Sequence, residues 1–303
     1  MSRVLPVAAS GRVAGRGGLL LIVLAAMLWG TAGVSTRTIY GLAETTAVSV
    51  AFLRLALSLP VLGGTAVAVL GRTGWHIGPR HLGLMAVSGV MLALYQLLFF
   101  AALERVGVAV ATLVTLCSAP VLVALLSTVL LGERPTRKLG VAASLAIFGT
   151  LLLVSPAEGT TVDDSATIGL LLALGSAFGY SLVAIISRRI AGAYPPLLPV
   201  TVAAAVGTLA LLPVLLLDGP HLAYPAAGWL LLLYLGVGPT AIGYVLFTRG
   251  VRTTAATVAS VVTMVEPLTA AVLSWLFFDE RLGPLALVGA GLLLGAVLLL
   301  TRE

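Results

Sequence analysis

Two charged residues, Arg54 and Glu266, lie well inside long apolar stretches of the chain. A charge at the centre of a bilayer costs about 2.5–3.5 kcal/mol on insertion scales, so each side chain is expected to face a cavity or a partner. A carboxylate at 266 can hold a proton or bind a solute ammonium, and a guanidinium at 54 can bind a solute carboxylate. Structural roles stay open as well. A protonated Glu266 can bond to a carbonyl freed by Pro267, and Arg54 can extend to the membrane boundary.

Helix-breaking residues recur at paired positions inside the apolar stretches, namely Pro120 with Pro267, and Gly89 with Gly236, Gly238 and Pro239. Proline inside a helix removes a backbone hydrogen bond, and the carbonyls it exposes need water, a side chain or a ligand. The breaks therefore predict the lining of a cavity, with a static kink as the alternative. Rings nearby can cover an apolar group and attract an ammonium. The candidate binding residues near the breaks are Trp29, Tyr95, Gln96, Thr115, Ser118, Tyr180, Ser181, Tyr244 and Thr263.

The elements that must position these residues are membrane-spanning helices. Of 303 residues, 60% are hydrophobic and 9% are charged, whereas a soluble domain has roughly 45–50% apolar and about 25% charged residues. About 20 apolar residues cross a hydrocarbon core as a helix, and the runs here are continuous, which excludes a barrel. We predict an all-α polytopic membrane protein with ten transmembrane helices, over residues 18–40, 46–70, 81–103, 107–131, 138–155, 167–190, 197–217, 226–248, 254–278 and 283–301.

The sequence lacks the residues that other kinds of chemistry require. One cysteine and three histidines exclude a disulfide framework and leave little for a metal site. No span holds an aspartate pair or a serine with a buried histidine, and no phosphate-binding glycine loop precedes a Gly-Lys-Ser or Gly-Lys-Thr. We therefore expect no membrane enzyme, no cofactor, no metal and no direct use of ATP. A channel stays open as an alternative.

Lysine and arginine are distributed unevenly between the predicted connections. The side with both termini and the loops after even-numbered spans holds 13 of the 17, the other side holds 3, and Arg54 lies within a span. Because cytoplasmic loops carry the excess of basic residues, both termini are predicted to be cytoplasmic, in a bacterial-type inner membrane. The bias explains the formal net charge of +6 without nucleic acid. The basic N-terminus imitates a signal peptide, but we favour an uncleaved first span, because the apolar stretch is long for a signal core.

The chain repeats itself with an offset of 147 residues. Residues 118–120 (Ser-Ala-Pro) return as 265–267 (Val-Glu-Pro), and the pair at 133–134 (Glu-Arg) returns at 280–281. Five spans per copy is an odd number, so the second copy is inverted relative to the first, an arrangement that suits alternating access. The predicted organisation is a cytoplasmic segment over residues 1–17, a repeat over 18–155, a periplasmic linker over 156–166 and a second repeat over 167–301.

Short motifs spread over nearly the whole chain resemble the drug/metabolite transporter superfamily, in its EamA-like group. They are Leu28-Trp29-Gly30-Thr31, Phe52-Leu53-Arg54-Leu55, Ala119-Pro120, Leu131-Gly132-Glu133-Arg134, Glu266-Pro267 and Asp279-Glu280-Arg281. Phe178-Gly179 departs from the tryptophan that the family's second copy often has there. The resemblance implies a central cavity lined mainly by spans 1–4 and 6–9, with spans five and ten outside as support. It also implies export or exchange of small metabolites, amino acids or drugs.

Together, these features predict a secondary carrier that exports or exchanges a small organic solute. Amino acids and similar zwitterions are the first hypothesis, because Arg54, Glu266 and the aromatic rings suit both charges and an apolar side chain. Lipophilic cations are the alternative, and they would be bound by Glu266 and the rings without Arg54. Proton antiport and passive exchange both fit the sequence, and the expected partners are the solute, the lipid bilayer and, for antiport, protons.

Two further patterns concern helix contacts. The small-residue spacings at Gly175/Gly179 and Gly291/Gly295 permit close helix packing within the monomer, and the second pair is also a candidate homodimer face. The Glu-Arg pairs at 133–134 and 280–281 end spans four and nine, where we read them as helix-end anchors, with gating by ion pairing as the alternative.

Overall fold

The computed structural model describes residues 16–71, 75–130, 132, 136–153, 164–254, 258–259 and 262–301. Most of the predicted N-terminal segment, most of the predicted linker and the Glu-Arg pair at 133–134 lie outside the described residues. Within the described ranges the regular structure is helical, and the one exception is an isolated bridge between Ala191 and Tyr194. The all-helical prediction is therefore confirmed for this part of the chain.

The helices follow the apolar runs of the sequence. They are α1 (Arg16–Leu42), α2 (Ala47–Leu70), α3 (Pro79–Leu130), α4 (Arg137–Leu153), α5 (Asp164–Ile190), α6 (Leu197–Asp218), α7 (Ala226–Leu235), a π-helical segment (Gly236–Ile242), α8 (Gly243–Gly250), α9 (Val265–Phe278) and α10 (Pro284–Thr301). Six continuous stretches are long and apolar enough to cross a membrane: residues 17–42, 47–70, 79–130, 164–190, 197–218 and 226–250. Helices α9 and α10 are apolar but shorter.

Helix α3 contains two of the predicted spans. Its two arms meet at Gly107, where φ is 78° and ψ is 172°. A positive φ costs glycine little but strains residues with a Cβ, so this residue type fits the kink. Gly89 and Pro120 lie inside the two arms of α3, where Gly107 is the one residue with non-helical dihedral angles.

The region predicted as span nine is interrupted. We predicted a helix over residues 254–278 with Pro267 at its middle, whereas residues 258, 259 and 262 are helical, a turn follows at 263–264, and α9 begins at Val265. Pro267 therefore lies in the first turn, where a missing N–H costs no helical hydrogen bond. By contrast, the run from Gly236 to Pro239 forms part of the π-helical segment, which lies between α7 and α8.

Helices approach each other closely at several glycines, where a side chain would not fit. A Cβ built on Gly89 of α3 would lie 2.7 Å from the carbonyl oxygen of Ala203 in α6. A Cβ built on Gly236 would lie 3.0 Å from the carbonyl oxygen of Arg54 in α2. Helix α5 packs mainly on α3, and α4 packs mainly on α10, which brings the predicted spans five and ten together.

The two small-residue spacings behave differently. Gly175 and Gly179 face α3, where the nearest atoms to an added Cβ belong to Leu98, Met91 and Tyr95, so this pair packs within the monomer. For Gly291 and Gly295, no atom of the described part lies within 4 Å of an added Cβ. The prediction of packing within the monomer is therefore wrong for the second pair, and a dimer through that face stays a prediction.

Replacing Gly30 by alanine is expected to destabilise the protein by about 1–3 kcal/mol, the usual cost of overpacking. An added Cβ would lie 2.7 Å from the carbonyl oxygen of Glu266 and 2.6 Å from Cβ of Thr269, so α1 would have to move away from α9. Thermal unfolding in detergent measures the effect. Gly64→Ala is the matched control, because that glycine lies inside α2 with nothing within 4 Å. Equal melting temperatures for the two variants would contradict the close contact.

Candidate functional site

The two intramembrane charges are brought into one region by different helices. Arg54 on α2 and Glu266 on α9 lie within electrostatic range of each other. Both also act on the hydroxyl groups of Tyr95 on α3 and Tyr244 on α8. The carboxylate acts in addition on Tyr180 on α5. One charged region thus collects side chains from both predicted repeats.

Arg54 is buried and has one hydrogen bond recorded in the described part of the chain. Its side chain is 7% exposed, and its Nε donates to Oγ1 of Thr240 over 2.8 Å. The guanidinium carbon lies 5.6 Å from the centre of the Phe100 ring, within the range of a cation–π contact. The alternative that Arg54 reaches the membrane boundary does not fit this burial. Thr240 is missing from the predicted set, although its place directly after Pro239 was a usable signal.

Glu266 is half-buried in the first turn of α9. Its backbone N–H donates to the carbonyl oxygen of Thr263 over 3.0 Å. That carbonyl lies four residues before Pro267, and because the backbone N–H of Glu266 already satisfies it, no protonated side chain is needed there. In the described residues the carboxylate has no recorded ion pair within 4.0 Å, and it is free to bind a proton or an ammonium.

The predicted aromatic residues form two groups. Trp29 lies 5.4 Å from Tyr244 and 5.2 Å from Phe247, measured between ring centres. Tyr95 lies 5.4 Å from Tyr180 in the same measure. Pairs at these distances stabilise each other beyond the area that they bury. Tyr180 keeps 36% of its surface exposed.

Further ring contacts come from phenylalanines that sequence reasoning missed. Phe99 stacks on Tyr95 at 6.4 Å and contacts Phe100 at 5.6 Å. The sequence did not single out these phenylalanines, because phenylalanine is common in apolar helices.

The predicted hydroxyl and amide residues divide into two kinds. Thr115 donates to the carbonyl of Ala173 over 3.2 Å and so joins α3 to α5. The hydroxyl of Ser181 lies 2.6 Å from the carbonyl of Ala177 on its own helix and 3.1 Å from that of Ala119 on α3. Gln96 and Ser118 are 3% and 5% exposed, and Oε1 and Oγ respectively have no hydrogen-bond partner in the described residues. Thr263 is half-buried and engaged in a contact.

A cluster centred on Glu280 joins three segments at the side predicted to be periplasmic. The carboxylate of Glu280 forms an ion pair with Arg37 at the end of α1. It also accepts hydrogen bonds from the backbone N–H groups of Val108 (3.2 Å) and Ala109 (3.1 Å), which follow the kink of α3. The Arg37 guanidinium lies 4.4 Å from the ring centre of Phe278. We name Glu280, Arg37 and these two N–H groups the outer cluster.

The two residues of the second Glu-Arg motif have different partners. Glu280 does not pair with its neighbour Arg281, whose Nε donates to Asp279 over 2.8 Å at the surface. A cavity of about 620 Å³ opens beside the cluster, lined by the C-terminal end of α1, the α3 kink and residues 280–282. The Glu-Arg motif therefore supplies a carboxylate that crosses to other helices instead of a local pair.

No group of three or more His, Cys, Asp or Glu side chains suited to a metal ion occurs among the residues with described positions. The single cysteine, Cys117, is buried and free. The chemistry offered by the site is thus one cation, one anion, buried polar groups and aromatic surface.

The chain matches the model of the EamA-like transporter family over residues 16–155 and 167–302. It belongs to this family. The transporter YwfM of Bacillus subtilis (strain 168) is 31% identical over 285 residues, with 93% of each chain covered. A transporter of Archaeoglobus fulgidus is 31% identical over 288 residues, covering 95% of this chain and 97% of that one.

A further relative of this EamA-like transporter is the pseudopaline exporter CntI of Pseudomonas aeruginosa (strain UCBPP-PA14), which is 28% identical over 289 residues and covered to 96%. A solved crystal structure superposes with a TM-score of 0.65 at 21% identity, covering 94% of this chain and 98% of that chain, which supports the fold. The protein is accordingly a membrane transporter, with a small-molecule solute and membrane lipid as its partners.

Proposed function

We propose that this EamA-like transporter is a secondary-active exporter or exchanger of an amino acid or a similar zwitterion. The observation that carries the proposal is the pair of opposite charges, the buried Arg54 and the half-buried Glu266, which lie within electrostatic range without a recorded ion pair between them. Charges in a membrane are costly unless they are paired or functional. A zwitterion would supply the missing partner to each, with its carboxylate toward Arg54 and its ammonium toward Glu266.

The aromatic rings fit the remaining part of such a solute. Trp29 with Tyr244, and Tyr95 with Tyr180, come from four helices and lie in the same electrostatic region as the charges. Rings of this kind offer apolar surface to a side chain and a negative face to an ammonium. This combination supports a solute with both a charged end and an apolar body.

The architecture that we propose has ten crossings in two inverted repeats of five. It is supported by two matching contacts: a crossing of the first copy packs on the second copy, and its counterpart in the second copy packs on the first. Gly89 in the third crossing packs on α6, the seventh crossing, and Gly236 in the eighth packs on α2, the second. The offset of 147 residues relates those two glycines. The fifth and tenth crossings, α4 and α10, pack on each other, which fits a two-fold relation between the copies.

We further propose that the termini are cytoplasmic in a bacterial-type inner membrane and that the two sides open alternately. The basic residues favour this orientation. The outer cluster supports a periplasmic side that is closed here, because it ties the end of α1 and residue 280 to the kink of α3. The exporter CntI among the relatives supports outward transport.

Lipophilic cations are the second candidate substrate class, and one observation favours them specifically. The carboxylate of Glu266 and the rings of Tyr95, Tyr180 and Tyr244 would suffice for a cation without a carboxylate. Arg54 would then repel the substrate instead of binding it. The two classes therefore predict opposite effects of a carboxylate on binding.

The test is a thermal-stabilisation screen of the purified protein with the twenty standard L-amino acids and with tetraphenylphosphonium and ethidium as cation probes. We expect amino acids to raise the melting temperature and the cations to leave it unchanged. Flux of the best amino acid into proteoliposomes then follows, with and without a pH gradient. Dependence on the gradient indicates proton antiport, and gradient-independent counter-flow indicates exchange. Stabilisation by the cations alone would overturn the zwitterion proposal, and flux without saturable counter-flow would indicate a channel.

A further inference from the structure

The hydroxyl of Thr240, in the π-helical segment, bonds to a backbone carbonyl of its own helix, that of Leu235. In a π-helix the N–H of a residue bonds to the carbonyl five residues earlier, so the carbonyl of Leu235 faces Thr240. Oγ1 of Thr240 donates to that carbonyl over 2.8 Å. The side chain of Thr240 is buried, with 2% exposure, so no solvent competes for this bond. The single proton of the hydroxyl is therefore committed to Leu235.

The same hydroxyl accepts a hydrogen bond from Arg54. A threonine hydroxyl has one donor and two lone pairs, so once its proton points to Leu235 its oxygen can only accept from other groups. The Nε of Arg54 lies 2.8 Å from Oγ1 and donates to it. The break in the eighth crossing thus fixes the direction in which the guanidinium of the second crossing points.

The geometry leaves one edge of the guanidinium for a ligand. Arginine has five N–H donors, and the edge with the two Nη groups matches a carboxylate in a bidentate pair. The Nε is held by Thr240, and the Phe100 ring lies 5.6 Å from the guanidinium carbon. No partner of Nη1 or Nη2 is recorded in the described residues. The fixed Nε orients the other edge for a carboxylate.

We infer that Thr240 is a positioning residue that gives this transporter its selectivity for solutes with a carboxylate. It acts through Arg54 and does not itself contact the solute. The inference rests on the proposed function, because it assumes that a zwitterion binds between Arg54 and Glu266. The inference adds Thr240, in the second predicted repeat, as a residue that determines specificity by orienting Arg54 of the first repeat.

The experiment compares the affinity for a carboxylate-bearing probe with that for its amide. The probes are the standard L-amino acid that stabilises the wild type most and the amide of the same amino acid. Thr240→Val keeps the shape but removes the hydroxyl. We expect the preference for acid over amide to fall about tenfold in this variant, because a hydrogen bond to a charged group is lost. Thr240→Ser keeps the hydroxyl and is expected to retain the wild-type preference.

The matched control is Thr208→Val. Oγ1 of Thr208 donates to the carbonyl of Ala204 over 2.8 Å within α6 and has no recorded arginine partner, so this change removes a similar backbone bond alone. Its preference is expected to equal that of the wild type. If Thr240→Val fails to fold, Thr240→Ala takes its place in the comparison with Thr240→Ser.

Two failures are distinguishable. If the wild type prefers the acid and the Thr240 variants without a hydroxyl keep the full preference, the positioning role is wrong and the zwitterion proposal survives. If the wild type binds no amino acid, or binds the amide as well as the acid, both are overturned. A fall in Thr240→Val that the control Thr208→Val shares would mark a structural effect and would also overturn the inference.

Discussion

Replacing Arg54 by glutamine is expected to lower the affinity for a carboxylate-bearing amino acid about 30-fold or more, without lowering thermal stability. Removing one partner of a buried, hydrogen-bonded charge pair costs about 2 kcal/mol or more, which corresponds to that factor. In the absence of solute, the same substitution should not lower stability. Arg54 is 7% exposed, and its charge has one recorded hydrogen bond in the described part of the chain. Removing an unpaired charge from a membrane interior relieves its insertion cost.

Ligand titration and thermal unfolding of the purified variant measure the two effects separately. A loss of affinity with an unchanged or higher melting temperature is the expected result. Arg281→Gln is the matched control, since that arginine forms a surface pair with Asp279, with both side chains 74% exposed. Such exposed pairs contribute little, so neither quantity should change. A lower melting temperature with full affinity would make Arg54 a structural residue.

Replacing Glu280 by glutamine is expected to open the predicted periplasmic side and to raise thiol labelling from that side at least about tenfold. The carboxylate accepts two backbone bonds at 3.2 and 3.1 Å and pairs with Arg37. Hydrogen bonds to charged groups contribute about 1.5–3 kcal/mol each, and about 1.4 kcal/mol is tenfold in an equilibrium. Because Arg37 keeps 37% of its surface exposed, water screens the ion pair, and the two backbone bonds carry most of the effect.

The labelled position is Ser118→Cys in a Cys117→Ala background, because Ser118 is 5% exposed in the closed arrangement. A membrane-impermeant thiol reagent is added separately to each side, and its rate of reaction is measured. Asp279→Asn is the control, since Asp279 pairs only at the surface with Arg281 in the described residues. An unchanged rate would remove the outer cluster as a closing contact. Faster labelling from the cytoplasmic side alone would reverse the proposed orientation.

Much of the fold could be predicted because a membrane acts on each stretch of chain separately. A run of apolar residues is helical wherever it crosses a bilayer, since its backbone groups must bond within the segment. The predicted runs accordingly correspond to helices across the described residues, and the kink between two of them falls at Gly107. Helix bounds were harder, because Pro267 stops or starts a helix depending on neighbours that the sequence does not identify.

The candidate site could be predicted in part for the same reason. The high cost of a buried charge is a property of one residue in one span, so Arg54 and Glu266 were visible without a structure. Thr240 was harder to find, because its place directly after Pro239 does not reveal that its oxygen lies 2.8 Å from an arginine 186 positions away. Similarly, Glu280 lies beside Arg281 in sequence but bonds to residues of α1 and α3.

The sequence by itself determined that this chain is a helical membrane transporter, because apolarity, basic loop bias and the family motifs are local to each segment. It also identified the two charged residues, Arg54 and Glu266, that lie well inside the apolar runs. Only the tertiary structure decided their neighbours: the threonine that holds Arg54, the turn of α9 that carries Glu266, and the carboxylate that ties α1 to the kink of α3. These contacts depend on which helix faces pack together, and that choice follows from the close approach of whole helices at small residues such as Gly30 and Gly89.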